Sequence, residues 1–268
     1  MQRPEWLPVE LDVDRPNAAR IYDYFLGGSH NLAADRDMAR RILAAIPHAP
    51  LMAQTNRGFL RRAVRYCLDA GVRQFLDLGS GIPTAGNVHD VAHRVAPDAR
   101  VVYVDIEPVA VAHSRVLLAG DDRLAMLHAD IRDPDRVLAE PALHRVLDLT
   151  RPVGILMVSV LGFVAEADEP DKLVARYLDA VPPGSHLAVC HGSSHAPGSG
   201  VDLMRRFYED TNSPLVSRSA EQIMGWFDGC DVVDPGLVWA QQWRPDWLGG
   251  VDEQPERYGL LAAVGRKR

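Results

Sequence analysis

Short apolar runs alternate with helical stretches along most of this chain, and the alternation limits the possible folds more than any other feature of the sequence. The runs begin after Gly71, a residue type that often ends helices, and helical patterns separate the first five of them. In one stretch, apolar residues recur at i, i+3, i+4 and i+7 between residues 88 and 95, before Pro97. Parallel strands need such crossovers, so the pattern predicts an α/β fold with a mostly parallel sheet.

Seven segments of the sequence fit the strands of this sheet. No convincing helical pattern separates the last two segments, and the chain passes between them through a Trp-rich loop at residues 243–250. We therefore expect the last strand to run antiparallel to the others. The predicted strands are residues 73–78, 101–105, 124–128, 155–160, 186–191, 232–241 and 258–264.

The N-terminal part of the chain is predicted to be helical. Apolar residues at helical spacing from Asn17 to about residue 70 fit three helices, punctuated by Gly27-Gly28, which can turn the chain sharply. No clean linker follows them. We expect residues 1–70 to form a helical cap on the same domain as an α/β core at residues 71–268.

Composition and charge exclude several functional classes. The 268 residues are 47% hydrophobic and 24% charged, which is ordinary for a globular protein, and the net charge of −7 is spread along the chain. Bulk nucleic-acid binding is not expected of such an acidic chain. A local Arg-rich stretch at residues 57–65 is interpreted as a solvated helix face, although it could steer an acidic substrate.

The cysteines and histidines form no recognisable metal or disulfide pattern. Cys67, Cys190 and Cys230 lie far apart, which suits a reducing compartment, and the ten histidines include no HExxH spacing. No segment approaches the roughly 18 apolar residues needed to span a bilayer. We expect a cytoplasmic protein that binds neither metal nor membrane; its oligomeric state is not indicated.

A glycine loop follows the first predicted strand, in the segment Asp77-Leu78-Gly79-Ser80-Gly81. Its glycines permit a tight turn and close approach to a ligand, and a helix predicted to start near residue 84 or 85 would add unpaired N–H groups. A dinucleotide fingerprint would need a third glycine where the chain has Thr84. A carboxylate at Asp77 suits the positive charges of S-adenosylmethionine (SAM) better than a pyrophosphate.

Two more acids end the next two strands. Asp105, followed by Ile106, can accept hydrogen bonds from both ribose hydroxyls, and Asp130 can accept one from an adenine amine while Ile131 packs on the ring. The ends of parallel strands meet at one edge of a sheet. Three acids in register therefore predict one crevice that binds SAM.

Four segments carry a resemblance to a known family. The chain resembles class I SAM-dependent methyltransferases, and more closely the S-adenosyl methyltransferase family of actinomycetes, long described as a domain of unknown function. The segments are residues 15–28, 56–64, 74–84 and 102–105. The resemblance covers nearly the whole chain and implies a Rossmann-like class I methyltransferase fold.

The resemblance also implies roles for individual residues. Asp77, Gly79 and Gly81 would hold the methionine end of SAM, Asp105 the ribose, and Asp130 with Ile131 the adenine. The general methyltransferase loop often has a glycine where this chain has Pro83, so the turn can differ and the helix can begin later. The closer family shares the Pro-Thr version of the loop.

The acceptor is expected near the ends of the fourth and fifth strands, where Ser159 would meet the cofactor and Phe163 the substrate. Methyl transfer is an in-line displacement that needs a base only if the acceptor must lose a proton. His191 and His195 are candidate bases, with capping of the loop or exposure to solvent as the alternative. No Asn-Pro-Pro-Tyr tetrapeptide follows the fourth strand, which disfavours amino groups of nucleic acid and protein as acceptors.

A lid is predicted at the N-terminal helices. Tyr22, Tyr24 and Phe25 stand beside the Gly27-Gly28 hinge, where aromatic faces could close over a ligand. Plain helix packing by Tyr24 and Phe25 is the alternative.

Two functional hypotheses remain after these observations. The first is an enzyme that transfers a methyl group from SAM to a small-molecule acceptor. The second is a SAM-binding sensor without chemistry, motivated by the absence of a recognisable acceptor motif. A nicotinamide-dependent oxidoreductase is disfavoured by the missing third glycine.

Overall fold

A computed structural model describes residues 12–83, 86–196, 198–209, 213–247 and 250–268 of the chain. Its sheet has eight strands. These strands are β1 (Gln74–Leu78), β2 (Arg100–Asp105), β3 (Leu124–His128), β4 (Gly154–Val158), β5 (His186–Gly192), β6 (Cys230–Val232), β7 (Val238–Trp239) and β8 (Leu260–Lys267). Their order is β3-β2-β1-β4-β5-β8-β6, and β7 also pairs with β8.

The helices of the described ranges flank the sheet or precede it. They are α1 (Ala18–Phe25), α2 (Ala33–Ala45), α3 (Ala49–Asp69), α4 (Val88–Val95), α5 (Pro108–Leu117), α6 (Pro134–Ala139), α7 (Pro141–Val146), α8 (Pro170–Asp179), α9 (Gly200–Tyr208) and α10 (Ala220–Gly225). Short 3-10 turns occur at Leu161–Phe163, Glu166–Asp168 and Pro255–Tyr258. Within the described ranges, no helix combines the length and apolarity that crossing a membrane requires.

The predicted fold class is confirmed. Strands β1 to β5 pair in parallel, and β8 runs antiparallel to β5. The predicted number of strands, seven, is one too low, because the expected strand 232–241 divides into β6 and β7. Between them Pro235 has no N–H for a ladder, and Gly236 adopts a φ of 87° and donates from its N–H to the Val233 carbonyl at 2.8 Å.

The predicted start of the helix after the glycine loop needs correction as well. Residues 84 and 85 lie outside the described ranges, and α4 begins at Val88. Its first turn is capped by Asp90, whose carboxylate accepts a hydrogen bond from the Asn87 backbone N–H at 3.0 Å. The helix therefore begins about one turn later than expected.

Alternate residues of each strand face opposite sides of the sheet, and each side has its own apolar core. In β1, Phe75 packs with α1 to α4, whereas Leu76 and Leu78 pack on the opposite side with α6 to α8. The N-terminal helices thus share a hydrophobic core with the sheet. The exact division at residue 70 stays a prediction.

A buried ionic cluster ties the N-terminal helices to the end of β2. Arg20 of α1 donates from Nε to Asp35 of α2 at 2.7 Å and from Nη1 to Glu107 at 2.9 Å. Arg20 and Asp35 are 2% and 0% exposed. Burial raises the pKa of Glu107, and the Arg20 charge opposes that effect. The cluster fixes the cap over the strand ends.

Candidate active site

A cavity of about 440 Å³ opens at the carboxyl ends of the central parallel strands. Its wall combines the loops after β1 to β5 with residues of α1, α3 and α9. The volume falls in the range of roughly 300–1,000 Å³ that is usual for small-molecule and cofactor pockets. Strand ends of a parallel sheet are where such folds bind ligands.

The glycine loop has a shape that only glycine permits. Gly79 has a φ of 73°, and a Cβ there would lie 2.1 Å from a methyl carbon of Val160, so the loop packs directly on the residues after β4. Gly81 has a φ of 67°, and no heavy atom lies within 4 Å of where its Cβ would be. The Gly79 and Ser80 N–H groups donate to the Val104 carbonyl of β2. The loop therefore leaves open space at Gly81.

Asp105 braces this loop from the end of β2. Its carboxylate accepts hydrogen bonds from the Gly81 N–H at 2.6 Å and from the Glu107 N–H at 2.8 Å. Burial raises the pKa of Asp105, and these backbone hydrogen bonds partly oppose the rise. Asp105 thus holds the loop and the next turn in position before any ligand binds.

Asp77 and Arg57 form a buried pair of opposite charges beside the loop. Burial raises the pKa of Asp77 to about 7, the Arg57 charge opposes this, and the Asp105 charge adds to it. Arg57 is 7% exposed, lines the cavity, and finds no hydrogen-bond partner for its Nε among the described residues. A buried guanidinium with a free donor is suited to an anionic ligand group.

The interpretation of residues 57–65 as a solvated helix face is wrong for Arg57. Arg61 and Arg65 are exposed, as expected, but Arg57 faces inward and Arg62 is half-buried. Arg62 donates to the Trp243 carbonyl at 2.7 Å. Arg57, Arg61 and Arg65 are spaced four residues apart and lie along one side of α3, so Arg57 differs from the other two in what covers its turn of the helix.

The ends of β3 and β2 together offer an acid and two apolar side chains: Asp130 and Ile131 follow β3, and Ile106 follows β2. Asp130 lines the cavity and is paired with Arg132 at 2.6 Å. Partial burial tends to raise the pKa of Asp130, but hydrogen bonds from Arg132 outweigh it and lower the pKa. Ile131 is buried, whereas Ile106 is 56% exposed at the rim. An exposed isoleucine at a cavity rim is a suitable surface for a flat ring.

A chain of hydrogen bonds crosses the opposite wall of the cavity. The Ser159 hydroxyl donates to the side-chain oxygen Oδ1 of Asn56 at 2.8 Å, and the side-chain Nδ2 of Asn56 donates to the Tyr22 hydroxyl at 3.0 Å. Tyr22 in turn donates to the backbone carbonyl of Ala53 at 3.0 Å. Ser159 has a φ of 65°, unusual for a residue other than glycine. The sequence analysis assigned Asn56 no role. The signal that could have drawn attention to it is that it begins the segment 56–64, one of the four that carry the family resemblance.

The two candidate bases occupy different environments. His191 lines the cavity, but its Nε2 accepts a hydrogen bond from Arg218 at 2.9 Å. Burial, and then the Arg218 charge, lowers the pKa of His191 to about 3. His195 is exposed on the turn after β5, and its Nδ1 accepts from the Ala220 N–H at 3.4 Å. His195 does not line the cavity. The role of either histidine as a general base stays a prediction.

Three of the four predicted substrate or lid residues reach the cavity. Tyr22, Phe25 and Phe163 line it. Tyr24 is absent from the lining, and its ring lies edge-on to Phe25 with a centroid distance of 6.2 Å. Closure of this segment stays a prediction. In the part of the chain that the structure describes, no group of three or more potential ligands could hold a metal ion.

The family model described as S-adenosyl methyltransferase matches residues 4–268. The chain belongs to this family. A protein from Thermobifida fusca, described as a candidate methyltransferase, is 38% identical with a TM-score of 0.92, and the match covers 99% of this chain and 100% of that one. A DUF574 family protein from Streptomyces avermitilis is 37% identical with a TM-score of 0.91, covering 96% of this chain and 99% of the other. Membership makes this chain a SAM-dependent methyltransferase of class I fold.

The match to one curated relative covers only part of this chain and only part of that protein. The relative is the ribosomal RNA small subunit methyltransferase H of Halorhodospira halophila, 30% identical over 139 residues. The match spans 50% of this chain and 40% of that protein. This relative agrees with the methyltransferase assignment and leaves the acceptor open.

Proposed function

We propose that this methyltransferase transfers the methyl group of SAM to a small-molecule acceptor that binds in the same cavity. The observation that carries the proposal is the continuity of the cavity: it extends from the glycine loop to a pocket between α1, α3 and α9. When bound, SAM supplies an electrophilic methyl group on a positively charged sulfur, open to in-line displacement by a lone pair. The protein contributes alignment and exclusion of water.

The strand-end residues would bind the nucleoside. Asp105, already oriented by the Gly81 and Glu107 N–H groups, keeps further lone pairs that can accept from ribose hydroxyls. Asp130 would accept from the adenine amine, with Ile106 and Ile131 on the faces of the ring. The open space at Gly81 and the buried Ser80 Oγ, without a partner among the described residues, support a ligand lying against the loop.

The methionine end of the cofactor carries an ammonium and a carboxylate, and the chain has a buried partner of opposite charge for each. Asp77 would accept from the ammonium, and Arg57 would donate to the carboxylate. Both side chains line the cavity together with Ser80 and Gly81. An acid and a base side by side match the ammonium and the carboxylate at the methionine end of SAM, which supports SAM as the ligand.

Replacing Arg57 by Met is expected to weaken the binding of S-adenosylhomocysteine (SAH) about tenfold or more, the loss expected for a charge-assisted hydrogen bond of about 1.5–3 kcal/mol. Calorimetry should show the binding of 5′-methylthioadenosine, which lacks the carboxylate, unchanged within about twofold. Arg61→Met, at an exposed position of the same helix, is the matched control. Equal losses for both ligands would contradict the assignment of Arg57 to the carboxylate.

The class of acceptor can be tested by following SAH release. Incubation with SAM and cellular metabolites of low molecular mass is expected to yield SAH, because the proposed acceptor site is an enclosed cavity lined by the cap helices. The partial relative that methylates ribosomal RNA motivates the competing substrate, tested as small ribosomal subunits and as naked RNA. Release with RNA alone would overturn the small-molecule proposal. If the protein binds SAM but releases no SAH with metabolites, ribosomal subunits or naked RNA, the result would favour the hypothesis of a SAM-binding sensor.

A further inference from the structure

The half of the cavity away from the glycine loop is apolar and uncharged among the described residues. Its wall consists of Phe25, Met52, Leu60, Phe163, Met204 and Leu215. The charged side chains that line the cavity are Arg57, Asp77, Asp105, Glu107, Asp130, Arg132 and Asp168. Of these, Arg57 also lies against the Tyr22 ring, 5.8 Å from its centre, and the carboxylate of the cofactor would pair with it there. His191 also lines the cavity, and burial, followed by the Arg218 charge, lowers its pKa so that it is neutral. An uncharged acceptor fits such surroundings, because a charge there would be desolvated without a counterion.

Polar groups interrupt this apolar half where Asn56, Ser159 and Tyr22 meet. The hydrogen of Tyr22 points to the Ala53 carbonyl, and the hydrogen of Ser159 points to Asn56. Ser159 also shares a hydrogen bond with the buried Cys190 thiol. After these bonds are counted, the second N–H of the Asn56 amide remains as a donor, and single lone pairs remain on Ser159 Oγ, Asn56 Oδ1 and Tyr22 Oη. The pair can therefore donate one hydrogen bond and accept another.

The position of the pair relates it to the methyl donor. Strand β4 pairs with β1, and Val160, next to Ser159, packs against Gly79 of the glycine loop. Ser159 thus lies where the cofactor half of the cavity meets the apolar half. A nucleophile held by Ser159 and Asn56 would lie beside the cofactor.

We propose that Asn56 and Ser159 hold the nucleophile of the acceptor, and that this acceptor is an uncharged, largely apolar molecule methylated on a hydroxyl oxygen; the inference rests on the proposed function. A hydroxyl oxygen can donate its hydrogen to Ser159, accept from Asn56 with one lone pair, and bond to the methyl carbon with the second lone pair. As this O–C bond forms, the C–S bond breaks with its electron pair on sulfur, which gives SAH, and the hydroxyl proton passes to solvent water at the mouth of the cavity. An amine nitrogen has a single lone pair: a hydrogen bond from Asn56 would occupy it, and without that bond the Asn56 N–H would stay unpaired. The site therefore selects oxygen over nitrogen.

The experiment measures binding to the complex with SAH, using 2-naphthol, naphthalene and 2-naphthoate as probes, and then methylation of 2-naphthol and 2-naphthylamine with SAM. Wild-type protein saturated with SAH is expected to bind 2-naphthol about tenfold more tightly than naphthalene or 2-naphthoate, since two hydrogen bonds contribute a net of about 1–3 kcal/mol. Asn56→Leu and Ser159→Gly should each bring the ratio of the naphthol and naphthalene affinities close to one, with SAH affinity unchanged within about twofold. Glycine suits the positive φ of residue 159, so the second variant keeps the backbone.

Gln54→Leu is the matched control, since it makes the same amide-to-apolar change at an exposed position of α3; it should leave the affinity ratio unchanged. Equal binding of 2-naphthol and naphthalene to wild type, or binding of neither, would overturn the proposal. Weaker SAH binding in the variants with an unchanged ratio would instead assign the pair to the cofactor. Methylation of 2-naphthylamine with SAM as fast as that of 2-naphthol would overturn the choice of oxygen. If SAH does not bind wild type at all, the proposed function itself fails, which is a distinct result.

Discussion

Asp77→Asn is expected to weaken SAM binding about 10- to 100-fold, since it removes a charged acceptor worth about 1.5–3 kcal/mol while preserving the shape of the side chain. The buried Asp77 carboxyl has a pKa of about 7, and the ligand ammonium needs the ionised form. Affinity in the wild type should therefore rise as the pH rises through about 7, and the pH dependence should disappear in the variant. Calorimetry of SAM binding between pH values of about 6 and 8 measures both effects.

The same substitution is expected to stabilise the ligand-free protein. A carboxyl whose pKa rises on folding binds protons more tightly in the folded state, so its cost to stability grows as the pH rises above the unfolded value of 3.8 and is complete above about 7. The difference between the folded and unfolded pKa values of Asp77 corresponds to about 4 kcal/mol of unfolding free energy. The Asp77→Asn variant should therefore have a Tm about 10 °C above that of the wild type at a pH of about 8. The gain should fall below about 2 kcal/mol at a pH of about 5.

Thermal unfolding at several pH values checks the stability gain, with Asp69→Asn at an exposed position as the matched control. The control should leave Tm and affinity nearly unchanged. A variant of Asp77 that is less stable than wild type at high pH would contradict the assignment of a buried, desolvated carboxyl. Unchanged SAM affinity would contradict its contact with the ligand.

Replacing Arg20 by Met is expected to destabilise the protein by about 3–5 kcal/mol, because it leaves two buried carboxylates without their cation. Asp35 is fully buried and Glu107 is 7% exposed, so solvent cannot replace the guanidinium. SAM affinity should fall as well, because the backbone N–H of Glu107 also orients Asp105. Chemical denaturation and calorimetry measure the two effects.

Arg40→Met tests whether burial causes this effect. Arg40 pairs with Asp37 on the surface of α2, where both side chains are more than half exposed. Exposed pairs of this kind contribute about 0–1 kcal/mol, so the variant should unfold close to wild type. Similar losses for Arg20→Met and Arg40→Met would contradict the view that the buried cluster holds the cap in place.

Local sequence patterns were sufficient for the architecture and for bringing five predicted residues to one cavity; their contact with the cofactor stays a prediction. The alternation of apolar runs and helical stretches predicted the parallel sheet and its antiparallel last strand. Asp77, Gly79, Gly81, Asp105 and Asp130 line one cavity, because residues that follow parallel strands meet at one edge of the sheet. The split of the strand at residues 232–241 depended on how Pro235 and Gly236 turned the chain.

What the sequence by itself determined is therefore the fold, the family and the set of groups around the glycine loop. Only the tertiary structure decided that Arg57 and Asn56 face the cavity, because the inward face of α3 depends on what packs against it. It also decided that His191 is neutral and that Arg20 joins α1 to β2, since the partners lie 27 and 87 residues away along the chain. Burial and hydrogen bonding between such distant residues set the charge and role of each group, and no local pattern records them.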